Sequence, residues 1–507
     1  MKHLLWLLCA VPTLLFAQTD IDLTLSEPFR DAKRSGNLYQ TYTTDQNQIV
    51  LVRTGKKQLL VDVFDETFRP VFQKSIERNR QEGLFGSILR GSELTLISVY
   101  QPSSRERIVT AHRVDLASGD HRAKRLFTKT VDKTGLFNFR RDRTTDFAVS
   151  RNDRYFVVGM DHQHENLATY ELSVYDTETL ERVYRKRTRA RGKKKNFVAN
   201  DLMIDNQGVT YFLGKEYESD GKLFDLDREA DYDYLLTRAD AGGIQQERID
   251  LGAEQYIVTL RLLDAQKHVR AVGLYGKRRG NEINGTVVFT IGKNDLDVVA
   301  EKRSDIPKEM YADLFNEART ERRDKKQRGI QRTFINYLNE SADGTLHLSA
   351  QEYYVTRRTD RNGNVTYTYN YGDLLHFSIN PIGELNWGRG ILFHRAQGNY
   401  ALDHLYHSFV RDGKLYVVFN GARRDKERSN GRVKASGRLT ALTVYVYDER
   451  GEVERVRLRD NALGEPVFFP QYGAVTLDGR FVTLNNRRGR RQFCNTLGPP
   501  VCGHEYG

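Results

Sequence analysis

The chain has 507 residues, 29% charged, 39% hydrophobic and 11% aromatic, with a formal net charge of +12. That hydrophobic share excludes a disordered chain, and 10 prolines and 40 glycines exclude a collagen-like or Pro-rich one. Tyr (27) and Phe (25) against 4 Met favour strands, because rings pack well on a pleated surface.

The first element is an apolar run. Lys2 and His3 precede Leu4 to Ala17, and polar Gln18-Thr19-Asp20 follows. A basic start, a short hydrophobic core and a small residue at the end predict a secretory signal peptide over 1–17. The run is short for a bilayer and contains Pro12. No later stretch reaches a membrane-spanning length, so the expectation is a secreted or periplasmic protein with no transmembrane span.

From there a two-strand unit recurs. The first is Leu60–Phe64, a turn at Asp65-Glu66-Thr67, then Phe68–Phe72. The second turns at Ala117–Asp120, the third at Asp176–Thr179 and the fourth at Asp240–Gly243. The fifth turns at Gly292–Asp295, the sixth at Asn380–Gly383 and the seventh at Asp448–Gly451. These seven hairpins are spaced about 64 residues apart on average, a period suited to a propeller blade with generous loops. Further strand pairs turn at Asn206-Gln207-Gly208, Asp343-Gly344, Asp412-Gly413 and Asp478-Gly479. Each repeat then holds about four strands.

The fold expected is therefore all-β, a β-propeller of seven four-stranded blades, with eight as the alternative. Strands from the two chain ends complete one blade and so remove exposed edges. Residues 18–493 form the one domain and 494–507 a C-terminal tail. Two separate β-sandwiches compete with this reading, but the regular spacing and the lack of a linker count against them.

Two stretches interrupt the rhythm. Near 305–332, Pro307 starts a short amphipathic helix with Met310, Tyr311, Leu314, Phe315 and Ala318 on one face, followed by a basic stretch. Residues 423–438 read as a basic loop. With Arg185–Lys195 and Arg487–Arg491, these blocks read as solvated loops able to meet an acidic polymer. Few aromatics interleave them, so nucleic acid is not expected.

Glu352-Tyr353-Tyr354, Tyr367–Leu375, Ile379–Trp387 and Ile306–Met310 carry a resemblance. The chain resembles secreted β-propeller proteins of unknown function of the Bacteroidota type, well over 300–420 and loosely elsewhere. The resemblance implies a fold and an exported location. It brings no catalytic residues.

Motifs for chemistry are sparse. Sialidase-type Asp turns, a Gly-x-Ser-x-Gly elbow, phosphate loops and dinucleotide fingerprints are absent. His162 and His164 share a face of a strand, while His404 and His407, three apart, suit a helical turn. Either pair could ligate a transition metal, but neither has an assignable third ligand. Asp225, Asp227, Glu229, Asp231 and Asp233 alternate. Calcium could relieve their repulsion, yet the spacing does not match an EF-hand and a solvated loop is the preferred reading. Cys494 and Cys502 are candidates for a disulfide in an oxidising compartment. The function expected is non-catalytic binding or scaffolding for a protein, glycan or surface polymer. The alternative is a propeller-fold hydrolase or lyase acting on polysaccharide.

Overall fold

The computed structural model describes residues 21–497 apart from 28, 31–36, 104, 131–144, 165–166, 190–196, 218–231, 253–254, 266, 278–281, 316–328, 332, 360–364, 394, 398–405, 423–438, 460–466 and 488–489. Alternating apolar residues and side-chain-anchored turns build antiparallel sheets almost throughout.

Seven sheets are contiguous in the chain. Blade 1 is Asn37–Thr43, Ile49–Thr54, Gln58–Phe64 and Pro70–Glu77. Blade 2 is Glu82–Arg90, Glu93–Ser103, Glu106–Asp115 and His121–Thr130. Blade 3 is Thr145–Val149, Tyr155–His164, Leu167–Asp176 and Arg182–Arg189. Blade 4 is Phe197–Ile204, Thr210–Tyr217, Tyr232–Ala239 and Ile244–Ile249. Blade 5 is Tyr256–Ala265, His268–Gly276, Gly285–Gly292 and Val298–Asp305. Blade 6 is Thr333–Glu340, Leu346–Thr359, Val365–Ile379 and Leu385–Ile391. Blade 7 is Tyr406–Arg411, Lys414–Ala422, Leu439–Tyr447 and Val453–Arg459. Each hairpin read from the sequence supplies the third and fourth strands of one of these seven.

The chain ends share a further sheet, blade 8. Asp22–Leu25 pairs with Arg490–Leu497, which pairs with Phe481–Arg487, then Val467–Phe468. The register places Asp22 opposite Leu497 and Leu25 opposite Cys494. The N-terminal contribution is thus Asp22–Leu25 with Phe29–Arg30, whereas Ile49–Thr54 is the second strand of blade 1.

Hydrogen bonds cross every junction of the ring. Tyr42 donates to Ser87 Oγ between blades 1 and 2, and Arg113 donates to the Thr177 carbonyl between 2 and 3. Tyr184 reaches Gly208 O between 3 and 4, and Asn200 reaches Leu260 O between 4 and 5. Arg261 donates to Ile335 O, Tyr337 to Tyr406 O, Asn420 to Phe468 O and Thr43 to Val475 O. The last contact joins blade 8 back to blade 1. The apolar cores lie between blades: Val50, Val61 and Leu94 join blades 1 and 2, while Val109, Phe156 and Tyr175 join 2 and 3. These sheets, closed on themselves around an axis, form a β-propeller.

The helical insertion is Lys308–Leu314, with Met310 and Leu314 buried. It lies on the outer strand of blade 6, where Gly388 and Gly390 leave no side chain in its path. A Cβ at Gly390 would fall 2.6 Å from Leu314. Asp313 holds Arg389 through two oxygens at 2.7 and 2.9 Å. Ile330–Gln331, later in the same insertion, pairs with Glu282–Ile283.

One part of ring closure is thus a strand of four residues whose Leu23 and Leu25 share a cluster with Phe468 and Phe481. Replacing both leucines by Asp should release this strand, lower stability by about 2–4 kcal/mol and expose the edge of Arg490–Leu497. Denaturant melts and light scattering check it; an unchanged, monomeric variant would refute closure by this strand.

Candidate functional site

The two faces of the ring differ. On one, first-to-second and third-to-fourth strand connections are short turns pinned by a side chain. Asp65 Oδ1 accepts from Thr67 N and Arg69 N, and Asp176 Oδ1 from Glu178 N and Thr179 N. Asp205, Asp240, Asn380 and Asp448 act alike. The backbone donors at Arg69, Ser118 and Thr179 hold the Asp65, Asp115 and Asp176 carboxyls below their ordinary range. The strand ends that flank the remaining connections, between second and third strands and from one blade to the next, lie at the opposite face. Function concentrates on such long connections.

At that face five inner strands carry a bulge at the same level. The extra residues are Tyr39, Phe85, Asn200, Val258 and Asn336. A bulge frees backbone groups from the ladder, and they need other partners. Between blades 4 and 5 those partners are side chains of blade 4. Lys215 Nζ donates to Val258 O at 2.7 Å and Tyr232 to Ile257 O at 2.8 Å. Tyr234 donates to Val258 O and to Asn200 Oδ1. Between blades 6 and 7, Tyr406 donates to Asn336 Oδ1 at 3.0 Å.

The Lys215 amine is unusual. Its nitrogen lies 4.3 and 5.3 Å from the Tyr232 and Tyr234 ring centres, and among the described residues no carboxylate pairs with it. Burial lowers its pKa to about 7. Such an amine holds its proton less tightly than an exposed lysine. Beside it, Asp201 binds Arg261 at 2.8 Å and the Leu262 amide at 2.6 Å, and Arg261 reaches blade 6. Burial pushes the Asp201 carboxyl up despite that arginine.

Two Ser–His clusters lie away from this face's surface. In blade 2, Ser98 Oγ is 2.6 Å from Glu82 Oε1 and 3.1 Å from His112 Nε2, and His112 Nδ1 is 3.3 Å from His121. Serine and acid meet the same imidazole nitrogen, so the acid does not orient the ring from its far side as a hydrolytic triad requires. Burial pulls the Glu82 carboxyl upward, but hydrogen bonds from His112 and Ser98 outweigh it and hold it at about 2. In the second cluster, Ser349 bonds His376 at 2.9 Å and Ser408 at 2.8 Å. His376 has no exposed surface, and burial takes its pKa to about 3. Both clusters are buried polar links inside and between sheets, and in the second His376 Nε2 meets no hydrogen-bond partner among the described residues.

The middle hairpin of blade 6 rises from the long-loop face. Its strands run 14 and 15 residues, whereas the flanking strands end their pairing at Glu352 and Leu374. Beyond that level only Arg395–Gln397 pairs with it among the described residues. Tyr353 stands opposite Tyr371, Val355 opposite Tyr369 and Arg357 opposite Tyr367, so the tyrosines share one face. Phe334 adds a ring edge-on to Tyr353 and is 54% exposed.

The metal-ligand expectations fare unevenly. Asp225, Asp227, Asp231, His404 and Cys502 lie outside the described residues. His162 and His164 do fall on one strand, facing Thr169 and Leu167 in register. The helical turn expected at His407 is corrected: it sits on the inner strand Tyr406–Arg411, its ring 5.0 Å from Phe481 and 5.3 Å from Tyr337. Apolar alternation with Phe409 and the Tyr406 ladder wins over the histidine spacing. Cys494 is on the last strand of blade 8. Among the described residues no three His, Cys, Asp or Glu side chains converge as a metal site. The basic block from Arg185 is also corrected in its first part, since Arg182–Arg189 is the outermost strand of blade 3 and not a loop, while 190–195 lie outside the described residues. Sequence reasoning missed Lys215. A lysine flanked by apolar Leu213 and tyrosines was its one local signal.

No protein-family model matches the chain, and no curated protein matches its sequence. Among solved structures it is similar to the β-propeller domain of the Trilobed protease from Pyrococcus furiosus, at 10% identity, 84% of this chain, 98% of that chain and TM-score 0.37. It is similar to the WD40 domain of SCAP from fission yeast, at 7% identity, 94% and 98% coverage and TM-score 0.39. It is similar to the polysaccharide lyase Uly1, at 10% identity, 92% and 91% coverage and TM-score 0.40. At these scores the likenesses carry no activity over to this chain. Among the described residues no helix is long and apolar enough to cross a membrane.

Lys215 binds fewer protons folded than unfolded between about pH 7 and its ordinary value of 10.5. Unfolding free energy should therefore rise with pH across that window. Lys215→Met should remove that part of the rise in urea melts recorded from pH 6 to 10. An identical profile in the variant would disprove the depressed amine.

Proposed function

We propose that the chain is an exported, non-catalytic binding propeller that holds a glycan on its long-loop face. The tyrosine-bearing hairpin of blade 6 carries this reading. Beyond the level where the flanking strands end their pairing, Tyr353, Tyr367 and Tyr369 lie partly exposed on one side of the hairpin, while Tyr371 is buried beneath them. A phenol offers a flat apolar ring to the C–H face of a sugar and a hydroxyl to its rim. On the short-turn face the Asp65, Asp176 and Asp448 side chains cap their own turns. The apolar leader over residues 4–17 supports export, and the surplus of Lys and Arg supports an acidic polymer as ligand.

A second reading, cleavage of polysaccharide, has the Lys215 amine in its favour: a base near neutrality between two tyrosines on the same face. The two readings separate in one assay. On a panel of polysaccharides the protein should bind without releasing new chain ends. Tyr367→Ala with Tyr369→Ala should weaken that binding about tenfold in protein that remains folded by circular dichroism. Chain-end release above background, lost in Lys215→Met, would overturn binding in favour of cleavage. Absence of any glycan binding would overturn both.

A further inference from the structure

The flank between blades 2 and 3 holds more cation than its own carboxylates neutralise. Glu171, on the third strand of blade 3, is almost wholly buried. Its oxygens receive Lys129 at 2.6 Å, Arg185 at 2.7 Å and Arg187 at 3.1 Å. Arg185 takes Oε1, while Lys129 and Arg187 share Oε2, so one negative charge faces three positive ones. Burial alone pulls the Glu171 carboxyl up, but hydrogen bonds from Arg185 and Lys129 hold it at about 2, so it stays charged.

Register explains the gathering. Arg187 lies opposite Glu171 and Arg185 opposite Ser173, so both guanidiniums share the face turned to blade 2. Lys129 arrives from the outermost strand of blade 2. Toward the short-turn end the same flank holds two ion pairs besides Arg122 and Arg182. There Lys124 pairs with Glu181, and Arg113 pairs with Glu93. The three-to-one cluster around Glu171 lies beyond these pairs, farther from the short turns. The Arg185 and Arg187 side chains keep 40% and 35% of their surface open. They stand two residues apart on an extended strand, about 6.7 Å, and that strand continues to Arg189. Guanidinium matches planar oxyanions with two parallel donors, and a regular row of cations matches repeated charge.

We infer that this flank is a second ligand site, which takes the oxyanion groups of a linear acidic polysaccharide along Arg185 and Arg187. It belongs to blades 2 and 3, away from the tyrosine hairpin of blade 6, and does not depend on the glycan reading given for that hairpin.

The probe is heparin on the full-length protein, titrated at several salt concentrations. R185Q/R187Q should bind about tenfold more weakly and with a flatter salt dependence. The control R80Q/K267Q removes the same charge from exposed positions elsewhere and should bind within about twofold of the parent. In the unmodified protein, heparin should shield Arg185 and Arg187 from phenylglyoxal, read by peptide mass spectrometry. That readout stands even where a variant folds poorly. Equal loss in both double variants would overturn the site, as would missing protection. Inorganic sulfate that competes as well as heparin at equal sulfate concentration would overturn the polymer and leave a small-anion site.

Discussion

An isolated four-stranded sheet leaves two unpaired edges and two faces to cover, and this chain meets that constraint eight times. Neighbouring blades bury the faces. The inner edges meet around the axis, where Tyr42, Asn200, Arg261 and Tyr337 hand hydrogen bonds from blade to blade. One junction cannot be made by consecutive chain. The four residues Asp22–Leu25 make it by joining a sheet whose other strands come from the far end of the sequence. Pairing across so long a separation costs loop entropy, which the packing of Leu23 and Leu25 against Phe468 and Phe481 must offset.

The outer edges remain, and charge protects them. The outermost strands carry Arg122 and Arg125 in blade 2, Arg182 to Arg187 in blade 3, Lys302 and Arg303 in blade 5 and Arg455 and Arg457 in blade 7. Cations on an edge discourage pairing with another chain. Much of the net positive charge is thus tied to architecture. Between blades 2 and 3 it gathers around Glu171, where three cations meet one carboxylate.

The asymmetry of the faces follows from turn chemistry. An Asp or Asn that caps its own turn leaves a tight, self-satisfied loop with little to offer a ligand. The other face gathers the long connections, the repeated bulges, the half-neutral Lys215 and the tyrosine hairpin. The bulge at Val258 of blade 5 turns backbone carbonyls toward the preceding blade, where Lys215 and Tyr232 donate to them.

Local information was enough for much of this. Strand alternation and Asp- or Gly-bearing turns act over a few residues, so seven hairpins and the short helix at Met310 and Leu314 were legible without coordinates. The tertiary structure alone decided the rest. Which N-terminal strand closes the ring, whether Arg185 lies on a strand or a loop, and whether His407 meets metal or rings depend on partners far along the chain. The Lys215 amine makes the same point: its charge state is set by burial beneath Tyr232, Tyr234 and the carbonyl of Val258, and burial is a property of the assembled ring.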